Sequence, residues 1–125
     1  MANILIVEDN PDNMKLFRAV LSMRGHTVTG LPGGDGLLET FQSEPFQLVL
    51  LDIQLPGKDG YQLLEDLKGS RVALPPVVAL TAHAMSGDRE KAMHAGFDGY
   101  LTKPIDVGTF GAEVEKYLKP VTPRG

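Results

Sequence analysis

Five polar residues stand at the ends of short apolar runs of this 125-residue chain or one residue beyond, and their types suit phosphoryl chemistry. They are Glu8, Asp9, Asp52, Thr81 and Lys103. Three carboxylates that meet at one place repel each other unless a cation lies among them, and a set of oxygen ligands suits Mg²⁺. A lysine and a hydroxyl beside that ion can contact phosphoryl oxygens. The pattern predicts that Asp52 is the nucleophile that accepts a phosphoryl group beside magnesium.

The apolar runs that precede these residues have the length of β-strands. Residues 5–7, 48–51 and 77–80 are unbroken apolar runs, which are typical of parallel strands covered on both faces. Residues 27–29 and 99–101 are weaker strand candidates. In a parallel sheet, ligands bind outside the carboxyl ends of the strands. We therefore expect the five polar residues to converge there.

Helical patterns separate the predicted strands. Apolar residues recur at helical spacing around residues 14–21, 37–41, 61–67, 84–95 and 107–118. Asn10-Pro11 reads as a helix start, and Gly25 and Gly96 stand where helices commonly end. Strict alternation of strands and helices predicts an α/β fold with a doubly wound, five-stranded parallel sheet. We expect the strand order 2-1-3-4-5.

Composition excludes several classes of protein. A net charge of −4 does not favour direct binding to nucleic acid or to an anionic membrane. The chain has no cysteine, which excludes disulfides and cysteine-ligated metals. Neither a signal peptide nor an apolar run of about 20 residues is present, so we expect a cytoplasmic protein without membrane insertion. His26 and His94 are predicted to be surface residues.

Four stretches of the sequence resemble the receiver domain of bacterial response regulators. They are ILIVEDN at residues 4–10, LDIQLPGKDG at 51–60, ALTA at 79–82 and YLTKP at 100–104. The resemblance covers residues 3–118 and is strongest to DivK-like single-domain regulators and to receivers of hybrid histidine kinases. It implies a CheY-like (βα)5 fold and a role in two-component or phosphorelay signalling.

The resemblance assigns the phosphoacceptor and the metal ligands. It implies that Asp52 accepts its phosphoryl group from a phosphohistidine on a histidine kinase or a histidine phosphotransfer protein. It further implies that Glu8, Asp9, Asp52 and the main-chain carbonyl of Gln54 bind Mg²⁺, with Mn²⁺ able to replace it. The chain is expected not to be an enzyme, but a phosphoacceptor that supports its own phosphotransfer and autodephosphorylation.

The resemblance also implies a switch. Thr81, Ala82 and Lys103 are expected to bind the phosphoryl group, and Tyr100 to turn inward when Thr81 moves. The Lys103–Pro104 peptide is expected to be cis. The readout surface is then the face around the fourth helix, the fifth strand and the fifth helix, where a downstream protein binds.

Residues near the acceptor are candidates for tuning and docking. Gln54 and His83 match positions that flank the path of the hydrolytic water, although His83 is equally consistent with an exposed loop residue that has no role. Asn13, Met14 and Phe17 lie on the first helix, where receivers meet their phosphodonor. For Met14 and Phe17, packing inside the domain is the alternative to docking.

Other functions remain as alternatives. We expect residues 1–119 to form the receiver domain and residues 120–125 a flexible tail, so the chain is either a single-domain regulator or an N-terminal receiver cut from a longer one with an output domain. A haloacid-dehalogenase-type phosphatase needs a second aspartate where Gln54 stands. A flavodoxin-like cofactor binder needs a first loop that cradles phosphate, whereas residues 8–12 are acidic.

Overall fold

The computed structural model describes residues 2–53, 60–70, 74–81 and 86–118, with the backbone alone for residues 86–89. Ten elements alternate strictly along the chain. They are β1 (Asn3–Val7), α1 (Pro11–Met23), β2 (Thr27–Leu31), α2 (Leu37–Ser43), β3 (Leu48–Asp52), α3 (Gly60–Gly69), β4 (Val77–Thr81), α4 (Ser86–Ala95), β5 (Gly99–Thr102) and α5 (Val107–Leu118).

The five strands form one parallel sheet in the order β2-β1-β3-β4-β5, which confirms the predicted fold and strand order. β3 and β4 are buried along their whole length because both faces of the sheet are covered. In β1 the side chains alternate between two cores: Leu5 and Val7 face α2, α3 and α4, while Ile4 and Ile6 face α1 and α5. This sandwich makes the carboxyl ends of the central strands one rigid edge.

The predicted ends of the helices are confirmed where the structure describes them. The Asn10 side chain accepts hydrogen bonds from the N–H groups of Asp12 and Asn13, at 2.8 and 3.1 Å, and so caps α1. Gly25 and Gly96 have φ angles of 90° and 109°, which favour glycine. α1 packs on α5 through Phe17 and Phe110, whose ring centroids are 5.2 Å apart.

Some sequence predictions differ from the structure or lie beyond it. β2 continues to Leu31, two residues past its predicted end, because its main chain pairs with β1 as far as Val7. Residues 82–85 and 119–125 lie outside the described residues, so the predicted start of the fourth helix and the predicted tail stay predictions. Within the described part of the chain, no helix combines the length and the apolar character that crossing a membrane requires.

Candidate functional site

Three predicted site residues are buried at neighbouring strand ends. Glu8 follows β1, Asp52 ends β3 and Thr81 ends β4, and their exposed fractions are 1%, 1% and 3%. Among the described residues, these three are the buried polar or charged ones. Burying ionised groups is costly unless they are paired, so a partner is required.

Lys103 supplies a positive charge to two of these side chains. Its Nζ donates to Asp52 Oδ2 at 2.8 Å and to Glu8 Oε1 at 3.1 Å. Its main-chain N–H donates to Thr81 O at 2.7 Å, which places the residue directly beside β4. The predicted cis peptide between Lys103 and Pro104 is present. One lysine therefore links the ends of three strands.

Burial and neighbouring charges both shift the pKa values of Glu8 and Lys103. Burial is the largest influence on Glu8 and raises its pKa. The N–H of Asn10 donates to Glu8 Oε2 at 3.1 Å and lowers this pKa, whereas the nearby charge of Asp52 raises it further. Burial by itself would lower the pKa of Lys103. The hydrogen bonds to Asp52 and Glu8 outweigh it, so the pKa of Lys103 is raised. The lysine is therefore held in its charged form.

A third carboxylate completes a possible set of metal ligands. Glu8, Asp9 and Asp52 each offer an oxygen, and these oxygens lie within 4.8 Å of one another. Asp9 is exposed, whereas the other two are buried, so the cluster opens to solvent on one side. Hard oxygen donors around an open side fit Mg²⁺, which commonly keeps several of its waters. The residues present thus suit the predicted metal.

Of the remaining residues predicted around the phosphoacceptor, the structure describes Tyr100 but not the other three. Gln54, Ala82 and His83 lie outside the described residues, so their roles stay predictions. Tyr100 is half-buried in β5, where it pairs with Ala79 of β4 and packs against the core on the α2–α4 side.

The docking prediction needs a correction on α1. Phe17 is only 1% exposed and stacks on Phe110, so its side chain belongs to the core and is not available to a partner. Met14 is also partly buried. Leu16 and Met23 are the exposed apolar residues of this helix, at 37% and 87%. The helical spacing had already favoured the inner face for position 17.

Sequence reasoning missed a polar cluster at the opposite end of the domain. Arg24 donates to both carboxylate oxygens of Glu115, from Nε at 2.8 Å and from Nη2 at 2.7 Å. His26 was predicted to be a surface residue, but its side chain is 8% exposed. Its Nδ1 accepts from the Ala2 N–H at 3.2 Å, so Nε2 donates to Glu115 Oε2 at 2.9 Å. His94 is exposed, as predicted.

Known protein sequences resemble this chain along most of its length. A family model described as "Response regulator receiver domain" matches residues 4–115. The sensor histidine kinase GacS of Pseudomonas protegens is 42% identical over 106 residues, which cover 82% of this chain and 12% of GacS. The polar-differentiation response regulator DivK of Brucella ovis is 37% identical, over 93% of this chain and 95% of DivK. This chain thus spans about an eighth of the GacS-type relatives.

Solved structures share the fold. The beryllofluoride-activated receiver domain of Klebsiella pneumoniae RstA superposes with a TM-score of 0.85 and 33% identity, over 94% of this chain and 99% of that chain. The chemotaxis protein CheY4 of Vibrio cholerae has the same TM-score at 21% identity, over 94% and 98% of the two chains. At that identity CheY4 supports the fold alone.

Proposed function

The chain belongs to the response regulator receiver domain family of two-component signalling, and from that premise we propose that Asp52 accepts a phosphoryl group from a partner's phosphohistidine. The observation that carries the proposal is the burial of Asp52 at a strand end, where Lys103 donates to it and two further carboxylates lie within 4.8 Å. A buried aspartate beside a lysine and a candidate metal site suits a nucleophile.

The geometry supports a direct transfer. A carboxylate oxygen of Asp52 attacks the phosphorus, the phosphorus–nitrogen bond breaks, and its electron pair stays on the donor's imidazole. Glu8, Asp9 and Asp52 would hold Mg²⁺, which would neutralise negative charge during the transfer. Lys103 Nζ lies 2.8 Å from Asp52 Oδ2, so it can also bind a phosphoryl oxygen after the transfer. Thr81 offers a hydroxyl to another phosphoryl oxygen.

Modification of Asp52 is proposed to alter the α4-β5-α5 face. A phosphoryl group adds charge near −2, which attracts Lys103 and the Thr81 hydroxyl. Thr81 ends β4 and lies opposite Thr102 of β5, in the same strand as Tyr100. A shift in these neighbouring strands changes the surface that a downstream protein meets. On this proposal the chain is a phosphoacceptor that supports its own phosphotransfer and dephosphorylation, and not an enzyme acting on a separate substrate.

The partner that donates the group is proposed to dock on α1. Leu16 lies on the outer face of the helix that begins directly after Asn10, beside the carboxylates. A histidine kinase or a histidine phosphotransfer protein would use this exposed apolar residue together with Asn13. Scattered exposed apolar residues are common, so the proposal depends on Leu16 lying on the outer face of α1, a helix that begins two residues after Asp9.

Phosphorylation of Asp52→Asn tests the central proposal. The parent is treated with acetyl phosphate and with phosphorylated histidine kinases, with and without Mg²⁺, and intact mass reports the added phosphoryl group. We expect a metal-dependent gain in the parent and none in Asp52→Asn. Asp35→Asn is the matched control, since Asp35 is an exposed aspartate that is not one of the three clustered carboxylates. Labelling that persists in Asp52→Asn would refute the assignment.

The relatives favour a second candidate as well. Hybrid-kinase relatives carry the matching segment as 12% of a much longer protein, whereas DivK matches along 95% of its length. The same phosphoacceptor chemistry therefore serves either a single-domain regulator or one part of a larger sensor. The size of the native protein, measured by immunodetection in its own cells, distinguishes the two.

A further inference from the structure

Little apolar burial holds α4 to the domain. Among the residues of α4 whose side chains are described, 90–95, Ala92 is the buried one, and Met93 is exposed. A helix with so narrow an apolar stripe gains little from the core. Polar and aromatic contacts near its carboxyl end therefore help to fix where it lies.

Two lysines connect α4 to α3. Lys68 of α3 donates from Nζ to the carbonyl of Ala95, the last residue of α4, at 2.8 Å. Lys91 of α4 places its Nζ 5.1 Å from the centroid of the Tyr61 ring, in α3. An ammonium group at the carboxyl end of a helix donates to a carbonyl that has no partner within the helix. Its positive charge is also attracted to the negative end of the helix dipole.

The residue after α4 is a glycine whose backbone Lys68 approaches closely. Gly96 has a φ of 109°, and a β-carbon at this position would collide with Lys68 Nζ. The following residue, Phe97, is buried and meets the Tyr61 ring edge-on, with centroids 5.8 Å apart. Both lysine contacts thus join α3 to α4, and the aromatic pair joins α3 to the second residue after α4.

The other end of α3 touches the phosphoacceptor. The Gly60 N–H donates to Ile53 O at 3.0 Å, and a β-carbon on Gly60 would lie 2.6 Å from the main-chain oxygen of Asp52. No gap separates the start of α3 from this backbone. A ten-residue helix is a rod of about 15 Å, so a displacement at Gly60 reaches Lys68.

We propose that α3 transmits a change at Asp52 to α4, and that Lys68 is the positioning residue that couples the two helices. The inference rests on the proposed function of Asp52 as phosphoacceptor. The path runs from the backbone of Asp52 through Gly60 and along α3 to the carboxyl end of α4. It is separate from the path through Thr81 and Tyr100, because it uses no residue of β4 or β5.

Hydrogen–deuterium exchange of the α4 amides tests this coupling. Lys68→Met keeps the length of the side chain and removes the donor, Lys68→Arg restores a donor, and Lys116→Met alters an exposed lysine of α5 as the matched control. In the unmodified state we expect α4 amides to exchange about two- to fivefold faster in Lys68→Met than in the parent. Lys68→Arg and Lys116→Met should resemble the parent.

The same variants are then compared with Mg²⁺ and beryllofluoride, a mimic of the phosphoryl group. In the parent, the mimic should change exchange both at the ends of β1 and β3 and in α4. In Lys68→Met, the change at the strand ends should persist, while the change in α4 falls to less than about half, as expected for a lost contact of this size.

Three outcomes would count against the coupling. Unchanged α4 exchange in Lys68→Met, exchange that rises equally throughout the domain, or an α4 response to the mimic as large as in the parent would each refute it. A different result refutes the proposed function itself: a parent in which the mimic alters no amide at the ends of β1 and β3. The strand-end response therefore separates failure of the coupling from failure of the site.

Discussion

Lys103 supplies the positive charge that balances two buried carboxylates of the candidate site, Glu8 and Asp52. Its ammonium group lies 2.8 and 3.1 Å from two carboxylates that are almost fully buried, and Asp9 adds a third charge at the exposed side. A divalent cation that binds Glu8 and Asp52 takes over part of the task that the lysine performs. Lys103 and a metal would therefore share the neutralisation of the same two carboxylates.

Replacing Lys103 with methionine should make folding depend on the metal. Without Mg²⁺, two buried carboxylates lose their counter-ion, and we expect the free energy of unfolding to fall by about 3 kcal/mol. Added Mg²⁺ binds the folded state and should raise the melting temperature of Lys103→Met more than that of the parent. Thermal unfolding with and without Mg²⁺ measures both effects, with Lys116→Met as the control. An equal or smaller effect of Mg²⁺ in the variant would contradict this account.

α1 shows how one element serves both the core and a surface. Phe17 and Leu21 are buried on one face, and Leu16 and Met23 are exposed on the other. The capping residue Asn10 and the helical spacing predicted the helix and its inner face. Helical spacing separates the inner face from the outer one, but it does not show which residues a partner contacts. The predicted docking residue Phe17 lies on the inner face, and Leu16 is an accessible apolar residue next to it.

Leu16→Gln should weaken docking without weakening the fold. Glutamine is a good helix former, so we expect stability to change by less than about 0.5 kcal/mol. Transfer from a phosphorylated partner protein should slow by about five- to tenfold, since part of a buried leucine contact is lost. Labelling by acetyl phosphate should stay unchanged because that donor needs no docking surface. Met93→Gln, an exposed position on α4, is the control, and equal transfer rates in parent and Leu16→Gln would exclude this docking surface.

Across the whole molecule, local sequence patterns predict some features, whereas contacts between residues far apart in the chain become visible only in the folded structure. Unbroken apolar runs predicted a parallel sheet covered on both faces, and the rule that ligands bind at the carboxyl ends of its strands predicted where Glu8, Asp52 and Thr81 meet. The cluster of Arg24, His26 and Glu115 had no such signal. Glu115 lies 91 and 89 residues from its two partners, and charged residues at these positions resemble an ordinary solvated surface.

The cluster of Arg24, His26 and Glu115 joins three elements: the end of α1, the start of β2, and α5. It lies at the amino ends of the strands, whereas the phosphoacceptor lies at their carboxyl ends. Hydrogen bonds from Arg24 and then from His26 lower the pKa of Glu115 to about 2, from an ordinary value of 4.5. A carboxyl group with a lowered pKa stabilises the fold fully above its unfolded value, and this contribution is lost as the pH falls toward the folded value. The stabilising contribution of Glu115 should therefore decline between about pH 4.5 and pH 2.

Glu115→Gln should accordingly unfold at a lower temperature than the parent at pH 7, with a difference that narrows below about pH 4.5. The effect should be modest because Arg24 and Glu115 are partly exposed and salt screens them. Melting curves from pH 7 to pH 3 measure the difference. Glu113→Gln, an exposed glutamate of the same helix, should melt like the parent at every pH. Parent and Glu115→Gln that melt together at pH 7 would show that the cluster does not stabilise the joined elements. A difference that widens in acid would contradict a lowered pKa of Glu115.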